Sequence, residues 1–515
     1  MLKKLGLGVF LLCAGMFGAM KISAYGKSEK PAVKNVGLPL KDTLVVAMKS
    51  DPKTLDPQKS IDTMSNKSLD LIYDSLFDFD ENLNVVPSLA ESWERVDEYS
   101  MIFHLKKGVK FHNGDEMKAE DVKFTLDRAR VSPQTLYLYK PISEVTVIDD
   151  YTVKVTTDTP FGALLQNLAA IQGGIVSKRA VEAAGENYVN HPIGTGQYKF
   201  KEWAPGSKIV FEAFEDSYVG APKIKEITFK TVPEVSNRMI ALETGEADIA
   251  FDIGLMDKDA VKNHKNLELL EVESPSILYL GFDQTNPKYQ NKKLRQAIAY
   301  AIDNNVFVDA IFRGSAVAAD SPMAKASPAY NPNVKRYDQD IEKAKELLKE
   351  AGYPDGLDIQ LWVMDDGPRV DMCVIIQDQL KAVGINAEIK VFEFGAYVSK
   401  TALPDKELYF LSWNSSGDGD ASLYPLFHST QHGAPGNRSF YSNPEVDALL
   451  DRARTSVDQD ERTALYKEVQ EILQEDLPHY TLVYPKLNLA KSTKVKGMIF
   501  KKNGYTDLTQ AYVEK

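Results

Sequence analysis

The sequence predicts an α/β fold divided into more than one lobe. The chain has 515 residues, more than the roughly 250–300 at which a single hydrophobic core stops growing. Strand patterns dominate residues 140–231, and helix and strand patterns alternate along the later part of the chain. Such alternation is typical of an α/β lobe.

The first 24 residues have the features of a secretory signal peptide. Two lysines precede an apolar run at residues 5–20, and small residues follow. The run is shorter than the roughly 20 residues that a membrane span needs. A lipid anchor at Cys13 is disfavoured because Leu12 stands where a lipoprotein signal has a small residue. We therefore expect a periplasmic or otherwise extracytoplasmic protein, whose one remaining cysteine, Cys373, leaves no internal disulfide.

Individual elements follow from local periodicity. Residues 25–40 are polar with Pro and Gly, and predict a flexible tether. Residues 42–48 are rich in β-branched residues and predict a strand, whereas the apolar spacing of residues 66–76 predicts a helix. Further strands are predicted at residues 100–105, 145–148, 151–156, 209–214, 224–231, 359–363, 387–392 and 408–411. Further helices are predicted at residues 119–130, 236–243, 294–302, 341–351, 370–383, 446–454 and 462–475.

Charge and motifs disfavour several classes of function. The net charge of -12 argues against nucleic acid as a partner, because phosphate binding needs a basic surface. Gly194-Thr-Gly196 lacks the third glycine of a dinucleotide fingerprint, since Lys199 stands there. We interpret its glycines as sites of close backbone approach or of a sharp turn. No Gly-x-Ser-x-Gly motif occurs, and Cys373 falls in an apolar helical pattern. We therefore expect neither a cofactor nor catalysis.

A polar loop holds two acids between an aromatic residue and an apolar run, WNSSGDGDASLYPLF at residues 413–427. Counted from Asp418, a calcium loop needs Gly at its sixth position and Glu at its twelfth, and neither is present. His428 and His432 are four residues apart, but nearby Gly and Pro disfavour a metal-binding helix. A glycosidase pair formed by Asp418 and Asp420 is a weaker alternative than a solvated loop. No metal site is therefore expected.

Seven short motifs occur in a characteristic order. They are TLDP at residues 54–57, LAESW at 89–93, FHLKKGVKFHNG at 103–114, AEDV at 119–122, GTGQY at 194–198, RQAIAYAID at 295–303 and AKELLKEAGYP at 344–354. In this order they resemble the family 5 solute-binding proteins of ABC importers, which bind dipeptides, oligopeptides or nickel. The resemblance extends from about residue 42 to residue 515. Gln197 departs from it, because the family usually has Pro there.

The resemblance implies a bilobed α/β fold of the periplasmic-binding-protein type II kind (cluster C), with an extra domain inserted in the first lobe. By analogy, the first lobe comprises residues 41–72, 198–278 and 490–515. The inserted domain comprises residues 73–197, and the second lobe residues 279–489. Such a protein is expected to be a monomer that closes over a buried ligand.

The resemblance also implies a role for the polar loop. In peptide-binding members, an Asp shortly after a Trp of the second lobe pairs with the α-ammonium of the ligand. Trp413 matches that Trp, Ser416 stands where the Asp falls without gaps, and Asp418 follows two positions later. We expect Asp418, with Asp420, to receive an amino group, because an unpaired buried charge is very costly. Asn414 belongs to the same expected site.

Arginine is the natural partner for the carboxylate of a peptide. Arg369 lies near the place where dipeptide binders carry such an Arg, and Arg438 is a second candidate. Tyr137 and Tyr139 are candidate walls of the pocket, with the core as the alternative for either. Thr54 opens a segment that resembles glutathione-binding members.

The implied function is capture of a short peptide and its delivery to the permease and ATPase of an ABC importer. The GDGD and LYPLF patterns resemble glutathione-binding members more than dipeptide binders, so glutathione is the narrower expectation. One alternative is a binder of nickel chelates that uses Arg and His. Another is a secreted hydrolase, which would convert a peptide or glycoside rather than return it intact.

Overall fold

The computed structural model describes residues 39–515. The predicted signal peptide, residues 1–24, and residues 25–38 of the predicted tether lie outside the described residues. Within the described part, no helix has both the length and the apolar character that crossing a membrane would require.

Strands and helices alternate along the described chain. The strands are β1 (Leu40–Lys41), β2 (Thr43–Met48), β3 (Phe77–Phe79), β4 (Val85–Pro87), β5 (Ala90–Arg95), β6 (Ser100–Leu105), β7 (Ile142–Asp149), β8 (Thr152–Thr157), β9 (Tyr198–Ala204), β10 (Lys208–Ala213), β11 (Glu226–Thr231), β12 (Ile249–Phe251), β13 (Leu267–Glu273), β14 (Ile277–Gly281), β15 (Ala316–Ala318), β16 (Leu357–Met364), β17 (Ile385–Phe392), β18 (Leu408–Trp413), β19 (His479–Ser492), β20 (Val495–Lys496), β21 (Ile499–Phe500), β22 (Thr506–Asp507) and β23 (Tyr512–Glu514). The helices are α1 (Thr63–Ile72), α2 (Ala119–Ala129), α3 (Leu136–Tyr139), α4 (Leu164–Ala169), α5 (Lys178–Ala184), α6 (Val235–Glu243), α7 (Lys258–Asn263), α8 (Pro287–Gln290), α9 (Lys292–Ala301), α10 (Asn304–Ala310), α11 (Ile341–Glu350), α12 (Gly367–Lys381), α13 (Phe394–Thr401), α14 (Gly419–Phe427), α15 (Pro444–Thr455) and α16 (Gln459–Asp476).

One long sheet runs through the molecule in the order β17-β16-β18-β14-β19-β12-β2-β11-β10-β9, and β13 and β15 also pair with β19. Strands β2, β11 and β12 run parallel to one another in one half, which we call the first lobe. Strands β16, β17 and β18 run parallel in the other half, which we call the second lobe. The prediction of an α/β fold is therefore confirmed.

Each half of the sheet has its own hydrophobic core. Strands β2, β10 and β11 pack against α1 in the first lobe. In the second lobe, one face of the sheet is covered by α9, α11 and α12, and the other face by α14, α15 and α16. Each fully buried Leu, Ile or Phe contributes roughly 1.5–3 kcal/mol relative to an exposed one. These separate cores explain why so long a chain remains well packed.

A smaller sheet in the order β5-β6-β8-β7 lies outside the long one. It shares a third core with α2, α4 and the β3–β4 hairpin, built from residues between Leu76 and Ile175. We call this region the inserted part. The exact domain limits expected from the sequence stay predictions.

Two segments join the lobes. The chain passes from β13 to β14 through residues 274–276 and returns within β19, which pairs with strands of both halves. The segments contact each other, because the Ser274 hydroxyl donates to the carbonyl of Pro485 at 2.7 Å. Rotation of one lobe against the other would therefore act through this pair of connections.

The predicted strands and helices overlap observed elements of the same type, with one notable shift. Helix α1 begins after Asp62, whose carboxylate accepts from the amide of Ser65 at 3.0 Å, and it ends before Tyr73, which is extended. The sequence had predicted a helix over residues 66–76. The apolar residues after Ile72 continue the spacing, but they enter the core in an extended segment that leads into β3.

The two glycines of Gly194-Thr-Gly196 permit a close approach, as predicted. A Cβ on Gly194 would lie 2.1 Å from the carbonyl oxygen of Ile72, and one on Gly196 would lie 2.4 Å from that of Leu71. The motif therefore seats the chain against the C-terminal end of α1.

Candidate functional site

The topology of the second lobe identifies a crevice. From β16 the chain continues through α12 to β17 on one side, and then through α13 to β18 on the other side of β16. The loops leaving β16 and β18 therefore diverge at their carboxyl ends. In open α/β sheets, ligands bind at such a switch point.

Arg369 lies in this crevice, in the first turn of α12. Its terminal nitrogens contact the hydroxyl of Ser412 and the sulfur of Met364, each at 3.1 Å. Its Nε lies 3.3 Å from a carboxylate oxygen of Asp366, the residue just before α12. The guanidinium therefore has one carboxylate neighbour, on its Nε side only. Its side chain is 19% exposed. A guanidinium has five N–H donors, so these three contacts leave donors for a ligand.

The polar loop leaves the neighbouring strand, β18. Trp413 is half-buried, and its indole nitrogen donates to the carbonyl of Ala421 at 2.9 Å. Asn414 and Ser416 are exposed. The Ser327 hydroxyl donates to the carbonyl of Gly417 at 2.5 Å and so holds the far end of the loop. The loop thus presents two exposed polar side chains shortly after Ser412, which contacts Arg369.

Asp418 caps the N-terminus of α14. Its carboxylate accepts from the amide of Asp420 at 2.7 Å and from Nη2 of the buried Arg462, 3.2 Å from each oxygen. A carboxylate offers about four acceptor positions, and these donors leave room for another. Asp418 also lines a cavity that includes Leu83, Gln166 and Tyr466, between the inserted part and the second lobe.

Asp420 is buried behind Asp418. Burial raises the pKa of Asp420 to about 6, although the Arg454 guanidinium, 3.4 Å away, acts to lower it. Its Oδ1 atom has no hydrogen-bond partner among the described residues. The protein therefore only partly satisfies the charge and the hydrogen-bonding capacity of the Asp420 carboxylate.

Arg438 is committed to the protein itself. The residue is buried, and its Nη1 donates to the carbonyl of Val398 at 2.8 Å and to the hydroxyl of Thr401 at 2.6 Å. These bonds tie the loop before Phe440 to the last turns of α13. These contacts favour a structural role for Arg438, and its expected role at a ligand carboxylate stays an untested prediction.

The two tyrosine candidates, Tyr137 and Tyr139, differ in how far they are buried. Tyr139 is fully buried in the core of the inserted part, where its hydroxyl donates to the carbonyl of Asn167 at 2.7 Å. This placement favours the core alternative for Tyr139, and its role in a pocket wall stays an untested prediction. Tyr137 is 67% exposed.

Thr54, in the loop after β2, is half-buried and accepts from the amide of Asp56 at 3.1 Å.

The sequence interpretation missed exposed apolar side chains in segments that follow parallel strands. Ile61 follows β2, Met256 follows β12, and Phe394 follows β17, with exposures of 71%, 71% and 63%. Large apolar residues between polar neighbours after a predicted strand are the signal that would have found them. The partners of the two acids, Arg454 and Arg462, carry no such signal because only the tertiary fold brings them together.

The histidines of the polar region have separate partners. His432 Nε2 lies 2.9 Å from the carbonyl of Tyr441, and the ring of His428 stacks on that of Tyr424 with centroids 4.4 Å apart. Among residues 39–515, no group of three His, Cys, Asp or Glu side chains is arranged to hold a metal ion.

Comparison with known proteins gives one consistent result. Residues 84–434 match the family model described as bacterial extracellular solute-binding proteins, family 5 middle. A glutathione-binding protein, GsiB, from Salmonella choleraesuis (strain SC-B67) is 36% identical over 470 residues, covering 88% of this chain and 91% of that protein.

Two solved structures with bound ligands resemble this one. The periplasmic binding protein DppA from Helicobacter pylori, in complex with the peptide STSA, has a TM-score of 0.77 and 30% identity, over 92% of this chain and 99% of that one. NikZ from Campylobacter jejuni, in complex with Ni(L-His), has a TM-score of 0.78 and 27% identity, over 92% and 100%. The shared fold therefore accommodates ligands of different chemistry.

Proposed function

The chain belongs to the family 5 bacterial extracellular solute-binding proteins, with their type II periplasmic-binding fold, and on this basis we propose that it captures short peptides outside the cytoplasm. It would act as a monomer and deliver the ligand to the permease and ATPase of an ABC importer. The observation that carries this proposal is the position of Arg369 at the switch point of the second lobe, partly exposed and with only one carboxylate neighbour described.

Arg369 is suited to the carboxylate of a peptide. A guanidinium presents two parallel N–H groups that match a carboxylate, and charge-assisted bonds of this kind are about twice as strong as neutral ones. Its contacts to Ser412 and Met364 orient the fork, and Asp366 on the Nε side offsets part of its charge. We therefore place the ligand carboxylate between Arg369 and the loop after β18.

We propose Asp418 as the acceptor for the amino group. It keeps an acceptor position beyond those used by Arg462 and the helix amide, and it lines a cavity. Asp420 would act from behind, because an ammonium near Asp418 would also favour its ionised form. Asn414 and Ser416 supply neutral donors and acceptors along the backbone of the ligand.

Glutathione is the narrower candidate because the GsiB relative is named for it. The exposed apolar side chains Ile61, Met256 and Phe394 instead suit peptides with apolar side chains. A nickel chelate is the third candidate, because NikZ holds Ni(L-His) on the same fold. No bond of the ligand is made or broken in the proposed function.

A thermal-shift screen distinguishes these candidates. A ligand that binds only the folded state raises the Tm. We expect peptides with free carboxyl ends, or glutathione, to raise it in the wild type and much less in Arg369→Gln. A response to Ni(L-His) alone would reject the peptide proposal, and release of cleaved peptide would support the hydrolase alternative.

A further inference from the structure

The inserted part touches the second lobe beside the polar loop, through elements other than the two lobe connections. The amide of Gly162 donates to the carbonyl of Arg454 at 2.8 Å, and the side-chain amide of Gln459 donates to the carbonyl of Gly162 at 3.4 Å. The ring of Phe161 lies under the Arg454 guanidinium at 5.8 Å. A Cβ on Gly162 would lie 1.9 Å from the carbonyl oxygen of Ser456, so only glycine permits this approach.

Leu83 forms a second point of contact, in the turn between β3 and β4. Its side chain is buried against Gly417, on which a Cβ would lie 2.7 Å from Leu83 Cδ1. The backbone of Leu83 has φ 66°, a conformation that leucine rarely adopts. Such backbone strain is commonly retained at functional contacts.

A single buried guanidinium links this contact to the polar loop. Arg462 donates through Nε to the carbonyl of Ala453, through Nη1 to the side chain of Gln459, and through Nη2 to Asp418. Gln459 is also the residue that reaches Gly162. The position of the inserted part is therefore transmitted to Asp418 through two side chains.

We propose that these contacts form a latch between the inserted part and the second lobe, which engages when the lobes close. Gly162 and Leu83 would be positioning residues, because they would hold the polar loop in place without touching the ligand. Part of the free energy of closure would then come from a contact within the protein, outside the ligand site.

The small size of the contact supports reversible engagement. Among the described residues it includes two hydrogen bonds of the Gly162 backbone, the side chain of Leu83 against Gly417, and the ring of Phe161 near Arg454. The chain connects the lobes through residues 274–276 and β19, beside which Lys258 of the first lobe donates to the carbonyl of Arg313 at 3.3 Å. Rotation about these connections would make or break the latch. A contact present only in the closed state shifts the open–closed equilibrium toward closure.

Spin labels at Glu144 in the inserted part and Glu468 in α16 would test the latch. Both residues are exposed, whereas Cys373 is buried and burial raises the pKa of its thiol to about 12, so it should remain unlabelled. Electron–electron distances between labels attached by thioether bonds, which thiols do not exchange, would be measured without ligand and over a titration with reduced glutathione and with tri-alanine. The variants are Gly162→Ala, Gln459→Ala and, as a matched control on the same helical turn, Asp460→Ala.

We expect both latch variants to need about tenfold more probe than the wild type to reach the short-distance population, as follows from the loss of one hydrogen bond with its packing. Asp460→Ala should match the wild type, and melting curves would show that all variants are folded. Identical distance distributions for wild type and Gly162→Ala, with and without probe, would overturn the latch. The distance distribution of the wild type could instead be unchanged by both probes and still differ from that of Gly162→Ala. That result would support the latch and reject the peptide proposal.

Discussion

Two arginines that look alike in the sequence have different roles because of what surrounds them. Arg438 is buried and donates to Val398 and Thr401, whereas Arg369 lies in the crevice and its side chain is 19% exposed. Both were recognised as candidates from the sequence. Burial, which only the fold determines, distinguishes Arg438 from Arg369, the proposed ligand anchor.

Replacing Arg438 tests that separation. Arg438→Gln should lower the free energy of unfolding by roughly 2–4 kcal/mol, because hydrogen bonds from a buried charged group are lost. Ligand affinity of the folded fraction should stay within about threefold of the wild type. Denaturant unfolding and calorimetric titration measure the two quantities. A large loss of affinity without loss of stability would return Arg438 to the ligand site.

Asp420 should give the protein a specific pH dependence. Its pKa is raised from 3.8 to about 6 in the folded protein, chiefly by burial, so the folded state bears the cost of the charge above pH 6. Between pH 6 and pH 4 the folded protein takes up a proton that the unfolded chain does not, and stability is regained as the pH falls.

The variant Asp420→Asn removes this titration. At about pH 7.5 the variant should have a higher free energy of unfolding than the wild type. This difference should shrink by roughly 2 kcal/mol when the pH is lowered to about 4.5, at 1.36 kcal/mol per pKa unit. Urea unfolding of both proteins at each pH measures the difference. A difference that stays constant with pH would show that the pKa of Asp420 is not raised in the folded protein.

At the scale of elements, local sequence signals predicted whether a segment is a helix or a strand, but they predicted its first and last residues less accurately. The apolar spacing that predicted a helix over residues 66–76 continues past the end of α1 at Ile72, because Tyr73 and Leu76 are buried in an extended segment. Periodicity reports which residues are buried, not the backbone conformation that buries them. The Asp62 cap was the missed signal for the start of α1.

The packing of Gly196 against α1 can be tested by one methyl group. Gly196→Ala should destabilise the protein by about 1–3 kcal/mol, because its Cβ would lie 2.4 Å from the carbonyl oxygen of Leu71 and backbone must shift. Gly367→Ala is the matched control, since its Cβ would meet nothing within 4 Å. Thermal unfolding compares them, and equal Tm values would refute the close-packing role.

At the scale of the whole molecule, the long sheet places the sites of both lobes on loops that leave parallel strands. The resemblance of short motifs was enough to predict the fold class, because such motifs mark turns and packing that the fold requires. It could not predict the pairing of Asp418 with Arg462 or of Asp420 with Arg454, since these partners are 44 and 34 residues apart and meet only after α14, α15 and α16 have packed.

Closure of the lobes should be visible in solution. Adding a ligand identified by the thermal-shift screen should lower the radius of gyration measured by small-angle X-ray scattering, because the lobes rotate about residues 274–276 and β19. Arg369→Gln should show the same decrease only at about tenfold higher ligand concentration. An unchanged radius at saturation would contradict closure by lobe rotation.

The most direct test of the account is a calorimetric double-mutant cycle on the contact between Arg369 and the ligand carboxylate. A bound peptide with a free carboxyl end and its C-terminal amide would be titrated into the wild type and Arg369→Gln. We predict that amidation weakens binding to the wild type at least about tenfold and changes binding to the variant little, since a charged hydrogen bond contributes about 1.5–3 kcal/mol. Equal losses on amidation in both proteins would show that the carboxylate lies elsewhere and would contradict the account.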